Sequence, residues 1–167
     1  MSTSAPAPDS KFGIAEVVGD ASTPEELRLC KIGGCCGKDT PLLPIEAVVA
    51  RMKALPDWKL SEDNKVISKE FVAKHWAAAM GFFNALSEIA EEEGHHPDLH
   101  LTGWRNVRVD LSTHAIGGLS MPDLVLAAKI DAIHVEFSPK WLRQKQEAAV
   151  AAAPGVDAAA TEECSQL

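Results

Sequence analysis

The chain has 167 residues, 46% of them hydrophobic, and a formal net charge of −8. This length and composition fit one globular domain with tails. The negative charge disfavours direct nucleic-acid binding, because an acidic surface repels phosphate groups, and the sequence has no apolar run long enough to span a membrane.

Residues 1–38 are rich in Ser, Ala, Pro and Gly and are predicted to form a flexible extension. Cys30, Cys35 and Cys36 lie in it, and Cys164 lies near the carboxyl end. So few cysteines predict free thiols in a reducing compartment, since a zinc site would need a fourth ligand and no histidine lies nearby. Residues 1–20 carry no basic-then-apolar signal pattern, which favours a cytoplasmic location.

The apolar periodicity then alternates between that of helices and that of strands. Residues 44–55 have apolar side chains at helical spacing, which predicts a helix, and 58–60 and 65–71 predict two strands. The longest predicted helix is 73–93, which Gly94 is well placed to end with a left-handed residue. Its predicted core stripe consists of Trp76, Ala79, Met80, Phe83, Leu86 and Ala90.

Strands at 96–102 and 105–112 are predicted to form a hairpin around Gly103, with one apolar and one polar face. A third helix is predicted to begin near Ser120, because Ser120 and Asp123 have capping-box spacing and Pro122 lies in the first turn. It should run past Ile133, with a break near residues 138–139.

The order α-β-β-α-β-β-α predicts an α+β fold in which three helices pack on one face of a four-stranded antiparallel sheet. The predicted domain is 39–145, followed by an Ala-rich flexible tail at 146–167. A single layer of helices leaves one face of the sheet uncovered. We therefore expect a homo-oligomer, a dimer or a tetramer.

Three histidines are predicted to meet at the open end of the hairpin. If Leu101 and Asn106 close its turn, paired residue numbers sum to about 207, and His95 and His96 lie opposite Ser112 and Leu111. His114 follows directly. Imidazole titrates near neutral pH, with an ordinary pKa of about 6.5, and neighbouring imidazoles favour each other's neutral form. Such a cluster predicts general acid–base catalysis.

A metal site is the alternative at this hairpin. His96, Asp98 and His100 alternate along one strand, so their side chains point to one face as a possible two-His-one-carboxylate set. Asp98 and His100 are also typical of the wet face of a half-exposed strand, and a metal there would leave His95 and His114 without a role.

The acidic side chains near the histidines have both structural and functional interpretations. Glu91 lies four residues before His95 and could orient an imidazole or raise its pKa. Glu92 and Glu93 fit a solvated acidic run. Asp123 fits a helix cap at the positive end of the helix dipole.

Other candidates are weaker. A hydrolase triad of Ser112, His95 and Asp123 lacks the G-x-S-x-G motif. Trp104 could cover part of a pocket or pack at an interface. His75 and His134 are expected to be structural or exposed.

The spacing of these residues resembles the pterin-4a-carbinolamine dehydratase signature. Glu91 is followed by His95-His96-Pro97, then by Trp104, His114 and Asp123 at fixed intervals, within the stretches GHHPDLHLTGW and LSTHAIGGLSMPD. The similarity extends from about residue 41 to 137. The resemblance implies an antiparallel four-stranded sheet with three helices on one face. It also implies loss of water from a 4a-hydroxytetrahydropterin, giving a quinonoid dihydropterin.

The resemblance further implies a site without a metal or organic cofactor, in which His95, His96 and His114 are the acid–base set and Glu91 supports them. The implied substrate-binding positions are Gly94, His95, His96, Pro97, Trp104, Ser112, Thr113 and His114. It implies a role in pterin recycling for aromatic amino-acid hydroxylases. Ala115 stands where some members have a carboxylate, so any contact made there is missing.

Some family members also act as dimerisation partners of a homeodomain transcription factor, so the resemblance leaves a non-enzymatic interaction module open. Similar cysteine-bearing extensions occur in plant-type members, which leaves an organellar location open.

Overall fold

The computed structural model describes residues 22–32 and 37–152. Its elements are α1 (Pro24–Leu29), α2 (Ile45–Met52), β1 (Trp58–Leu60), β2 (Ile67–Val72), α3 (Trp76–Glu93), β3 (Asp98–Thr102), β4 (Asn106–Leu111), a 3₁₀ turn (His114–Ile116), α4 (Met121–Asp131) and α5 (Pro139–Ala152). The strands form one antiparallel sheet in the order β1-β2-β4-β3.

The two central strands supply one face of the core. Ile67 of β2 pairs with Leu111 of β4, and Phe71 pairs with Val107, so their buried side chains lie on the same face of the sheet. The ring of Phe71 meets Phe82 of α3 edge-on, with centroids 4.9 Å apart, which is a favoured arrangement of aromatic pairs. This packing fixes α3 across the centre of the sheet.

The predicted α+β class and the four-stranded antiparallel sheet are confirmed, with more helices than the three expected. One addition is α1, which lies inside the segment predicted to be flexible. The other is α5. The third helix was predicted to run past Ile133, but α4 ends at Asp131, and α5 runs from Pro139 to Ala152, into the tail that was predicted to be flexible. No helix within the described ranges is long and apolar enough to cross a bilayer.

The predicted core stripe of α3 is partly wrong. Ala79, Leu86 and Ala90 are buried as predicted, but Trp76 is 54% exposed and the buried phenylalanine is Phe82 rather than Phe83. Trp76 is the first residue of the helix, where the chain has just left the sheet. At that point a helical apolar stripe has no partner surface to pack on.

The predicted hairpin register is also wrong, by one residue. Thr102 pairs with Asn106, so paired numbers sum to 208, and the connection has three residues instead of four. Gly103 and Trp104 occupy the left-handed region, with φ of 53° and 62°, which permits this tighter turn. The register places Leu99 and Leu101 opposite Val109 and Val107, so the expected separation into an apolar and a polar face is kept.

Candidate active site

Asp123 lies fully buried in the first turn of α4 and is the centre of a polar network. Its Oδ2 accepts hydrogen bonds from the hydroxyl of Thr113 at 2.8 Å and from the backbone N–H of Ser120 at 2.8 Å. The Ser120 hydroxyl is also within reach, at 3.1 Å. The predicted capping box is therefore present, and it ties the start of α4 to the end of β4.

The second oxygen of Asp123 contacts a histidine, which the prediction of a purely structural cap did not anticipate. Its Oδ1 lies 2.7 Å from Nε2 of His95, whose side chain is 6% exposed. The tautomer of His95 decides which atom donates: when the Asp123 carboxylate is ionised it only accepts, and Nε2 then carries the hydrogen. Nδ1 is then the ring nitrogen at which His95 gains or loses a proton, and the carboxylate fixes both tautomer and ring orientation.

The backbone before His95 is equally constrained. Gly94 ends α3 in the left-handed conformation, with φ of 64°, as the sequence predicted. The N–H of His95 then donates to the carbonyl of Ala90 at 3.1 Å, which closes the last turn of the helix. The position of the His95 ring therefore depends on the end of α3 and on the start of α4.

The other two predicted histidines are exposed. The side chain of His96 is 59% exposed, with Nε2 3.4 Å from a carboxylate oxygen of Glu91. The side chain of His114 is 71% exposed, with Nε2 3.4 Å from a carboxylate oxygen of Asp98. Contacts between such solvated partners are weak and adjustable. Both rings are open to a ligand from solvent.

A closed path of contacts connects the three histidines. Asp123 joins His95 to Thr113, which directly precedes His114 in the chain. The ring of His114 in turn contacts Asp98, two residues after His96. His95, His96 and His114 thus lie near the open end of the β3–β4 hairpin, as one buried and two exposed imidazoles.

The predicted substrate-binding residues do not all lie beside the histidines. Gly94, Pro97 and Ser112 are half-buried beside the histidines, whereas Thr113 is 1% exposed and its hydroxyl is engaged in the Asp123 network. Trp104 lies at the opposite end of the hairpin, about 17 Å away along the strand at about 3.3 Å per residue. The structure does not bring Trp104 to the histidines of its own chain. Surface grooves of about 360 and 450 Å³ are lined by residues other than the three histidines.

The alternative metal set is not assembled as a group. His96 contacts Glu91, and Asp98 contacts His114. Nε2 of His100 lies 3.2 Å from Oδ2 of Asp110, on the polar face of the sheet. Within residues 22–32 and 37–152, no three His, Cys, Asp or Glu side chains are arranged to bind a metal ion. Cys30 is a free thiol, while Cys35, Cys36 and Cys164 lie outside the described residues.

The prediction that Glu93 belongs to a solvated acidic run is wrong, although Glu92 is exposed as expected. Glu93 is 5% exposed, and its carboxylate accepts the backbone N–H of Ile32 at 2.8 Å and pairs with the ammonium group of Lys129 in α4. Burial alone raises the pKa of Glu93. The hydrogen bonds from Lys129 and Ile32, with the charge of Lys129, outweigh burial and set the pKa below its ordinary value.

This lowered pKa predicts a pH-dependent contribution to stability. Relative to Glu93→Gln, the wild type should be more stable near neutral pH by about 1.5–3 kcal/mol, the usual range for hydrogen bonds to a charged group. A group with a lowered native pKa stabilises above its ordinary pKa of about 4.5 and loses that contribution as pH falls through the native value. Urea titrations of both proteins from pH 7 to pH 3 measure the difference. A difference that persists undiminished at pH 3 contradicts this assignment.

Comparisons with known proteins identify the family of the chain. Residues 41–133 match the family described as pterin 4 alpha carbinolamine dehydratase. The chain is 38% identical over 125 residues to Pterin-4-alpha-carbinolamine dehydratase 2, mitochondrial, of Arabidopsis thaliana, which covers 74% of this chain and 65% of that relative. It is 41% identical over 92 residues to a putative pterin-4-alpha-carbinolamine dehydratase of Paracoccus denitrificans, covering 55% of this chain and 85% of that relative.

A solved structure shares the fold. The crystal structure of a transcriptional coactivator/pterin dehydratase from Brucella melitensis superposes with a TM-score of 0.52 at 27% identity. The match covers 55% of this chain and 97% of that one. The family match of residues 41–133 contains the four strands, whereas α1 and α5 lie outside it.

Proposed function

Because the chain belongs to the pterin-4a-carbinolamine dehydratase family, we propose that it removes water from a 4a-hydroxytetrahydropterin and releases a quinonoid dihydropterin. The family match supports the reaction class. The observation that supports histidine chemistry is the buried contact between His95 and Asp123, at 2.7 Å, beside two exposed imidazoles.

The reaction needs two coordinated proton movements. The C4a–O bond breaks as the departing hydroxyl receives a proton and leaves as water, while a ring N–H of the pterin loses a proton as the new C=N bond forms. No proton is gained or lost overall, so a matched acid and base suffice. Each such positioned transfer contributes about 10²–10⁴ in rate.

His95 is the group best suited to one of these transfers. Asp123 fixes its tautomer and orientation, and general acid–base catalysis depends on a group whose geometry is set before the reaction. His96 or His114 supplies the complementary group, because both rings are accessible to a substrate. Glu91 supports His96 through their contact. Gly94, Pro97 and Ser112 are the neighbouring surface against which a flat bicyclic ring would lie.

Dehydration of enzymatically generated carbinolamine tests the proposal directly. We expect the full chain to accelerate the disappearance of the 4a-hydroxy species, followed by its ultraviolet absorbance, in proportion to enzyme concentration. Activity should be unchanged by EDTA, since the proposed chemistry uses protein side chains alone. No acceleration over the uncatalysed reaction would refute the proposed function, and loss of activity with EDTA would favour a metal.

A non-enzymatic role is the alternative to the dehydratase function. The Brucella protein is described as a transcriptional coactivator as well as a pterin dehydratase. An interaction module of that kind would keep its function in His95→Ala, whereas a dehydratase would not. A homo-oligomeric state and a place in pterin recycling with an aromatic amino-acid hydroxylase also belong to the proposal. The mitochondrial plant relative supports an organelle as the alternative to the cytoplasm.

A further inference from the structure

Helix α4 needs cover on more than one side. Its buried residues occupy nearly the whole circumference: Asp123, Leu124, Val125, Leu126, Ala127, Ala128 and Ile130. A helix that is apolar all round is stable only when other elements surround it. Helix α3 packs against α4, and so does α1, from outside the family-matched region of residues 41–133.

Residues 23–32, which we call the docked segment, are anchored at both ends. At the start, Thr23 and Glu26 form a reciprocal capping box that stabilises the short helix α1. Leu27 of α1 is fully buried and Ile32 is 4% exposed, and both belong to the main hydrophobic core. The segment therefore packs as part of the folded domain.

The docked segment reaches the candidate site through Glu93. The backbone N–H of Ile32 donates to Oε2 of Glu93, while the other carboxylate oxygen pairs with Lys129 of α4. Glu93 is the last residue of α3, and His95 follows after the single residue Gly94. One buried carboxylate thus joins the docked segment, α3 and α4 two residues before the histidine.

We infer that Glu93 is a positioning residue for His95, and that the docked segment acts on the site through the Ile32–Glu93 hydrogen bond. The His95–Asp123 contact joins the end of α3 to the start of α4, and the Glu93–Lys129 pair joins the same two helices about two turns further along α4. Two links prevent rotation of one helix end against the other, whereas one link does not. The catalytic consequence rests on the proposed function.

Two variants of the full chain test the inference at different points. Glu93→Gln keeps the size of the side chain and removes its charge, and Leu27→Ala weakens the docking of α1 without touching the site. We expect each to lower kcat for dehydration by about tenfold with KM changed less than twofold, because small displacements of a catalytic group reduce turnover strongly. The ¹⁵N ring signals and the titration midpoint of His95, recorded by NMR without substrate, should shift in both.

Matched controls separate positioning from general destabilisation. Glu92→Gln changes the exposed neighbour of Glu93, and Leu55→Ala removes an equally buried leucine between α2 and β1. Both should keep wild-type kcat and His95 signals at temperatures below their melting points. If Glu93→Gln does not fold, Leu27→Ala decides.

Wild-type kcat and ring signals in the folded test variants would overturn the inference, as would equal effects of Leu55→Ala and Leu27→Ala. If the wild type does not dehydrate the carbinolamine, the proposed function fails. The ring signals alone then decide whether Glu93 positions His95.

Discussion

Replacing His95 by alanine is expected to lower kcat for carbinolamine dehydration by about 10²–10⁴, the usual contribution of a positioned acid or base. The imidazole is the only proton-exchanging group that Asp123 orients in the described network, so water entering the cavity left by alanine would lack its fixed geometry. Rapid-mixing kinetics on carbinolamine generated in place measure kcat. The protein should still fold, since the neighbouring capping box remains.

The exposed histidines provide an internal comparison. His96→Ala and His114→Ala should each reduce turnover, and the one with the larger loss identifies the partner of His95. The two variants should differ in the pH dependence of their rates. In a bell-shaped profile one limb reports the general acid and the other the general base, so removing either group removes a different limb. His134→Ala, in an exposed loop away from the site, is the matched control and should keep wild-type kinetics. Unchanged turnover in all three site variants would defeat histidine catalysis.

The sheet and the position of the histidines near one end of the hairpin could be predicted from local patterns. Alternation in β2 and β4 marks the buried face, and Gly94 marks the end of α3. The correct hairpin register was available in the same pattern. A sum of 208 places Leu101 opposite Val107, while the predicted sum of 207 places Leu101 opposite Asn106, an apolar residue against a polar one. The pairing of apolar with apolar side chains was therefore a better guide to the register than the assumed turn.

The role of Glu93 required tertiary information. In sequence it is the third of three consecutive glutamates, and only its helical phase separates it from its neighbours: Ala79, Leu86 and Ala90 lie on the same buried face. Extending that face by three residues from Ala90 reaches Glu93. Its partners, Ile32 and Lys129, are 61 and 36 residues away in the chain, and no local pattern connects them.

The contact between Asp123 and His95 also joins residues that lie far apart in the chain. Capping-box spacing explains one carboxylate oxygen. Only the weak triad alternative of Ser112, His95 and Asp123 paired this carboxylate with His95, and no local pattern supported it. Helix α1 was overlooked because its six residues are too few for a periodic pattern. The signal available was indirect. The all-round apolar sequence of α4 demands cover that the three predicted helices do not provide.

Asp123→Asn is expected to fold but to lose about 10²–10⁴ in kcat, through a change of tautomer at His95. The asparagine carbonyl can replace Oδ2 as the acceptor for Ser120 and Thr113, which leaves its NH₂ group facing Nε2 of His95. Nε2 must then accept, so the hydrogen moves to Nδ1 and the ring presents the wrong nitrogen. Loss of the charged acceptor should also reduce the free energy of unfolding by about 1.5–3 kcal/mol.

Ser120→Ala is the matched control for this substitution, because it removes a capping hydroxyl and leaves the His95–Asp123 contact in place. It should reduce the free energy of unfolding by about 0.5–2 kcal/mol, as other N-cap substitutions do, with kcat within a fewfold of the wild type. Urea denaturation, steady-state kinetics and the ¹⁵N ring shifts of His95 give the three measurements. If Asp123→Asn retained wild-type kcat while its ring shifts showed the hydrogen on Nδ1, the orientation of His95 by Asp123 would have no part in catalysis. If both substitutions lowered kcat equally, Asp123 would act through the stability of the α4 cap, since Ser120→Ala leaves the contact of Oδ1 with His95 in place.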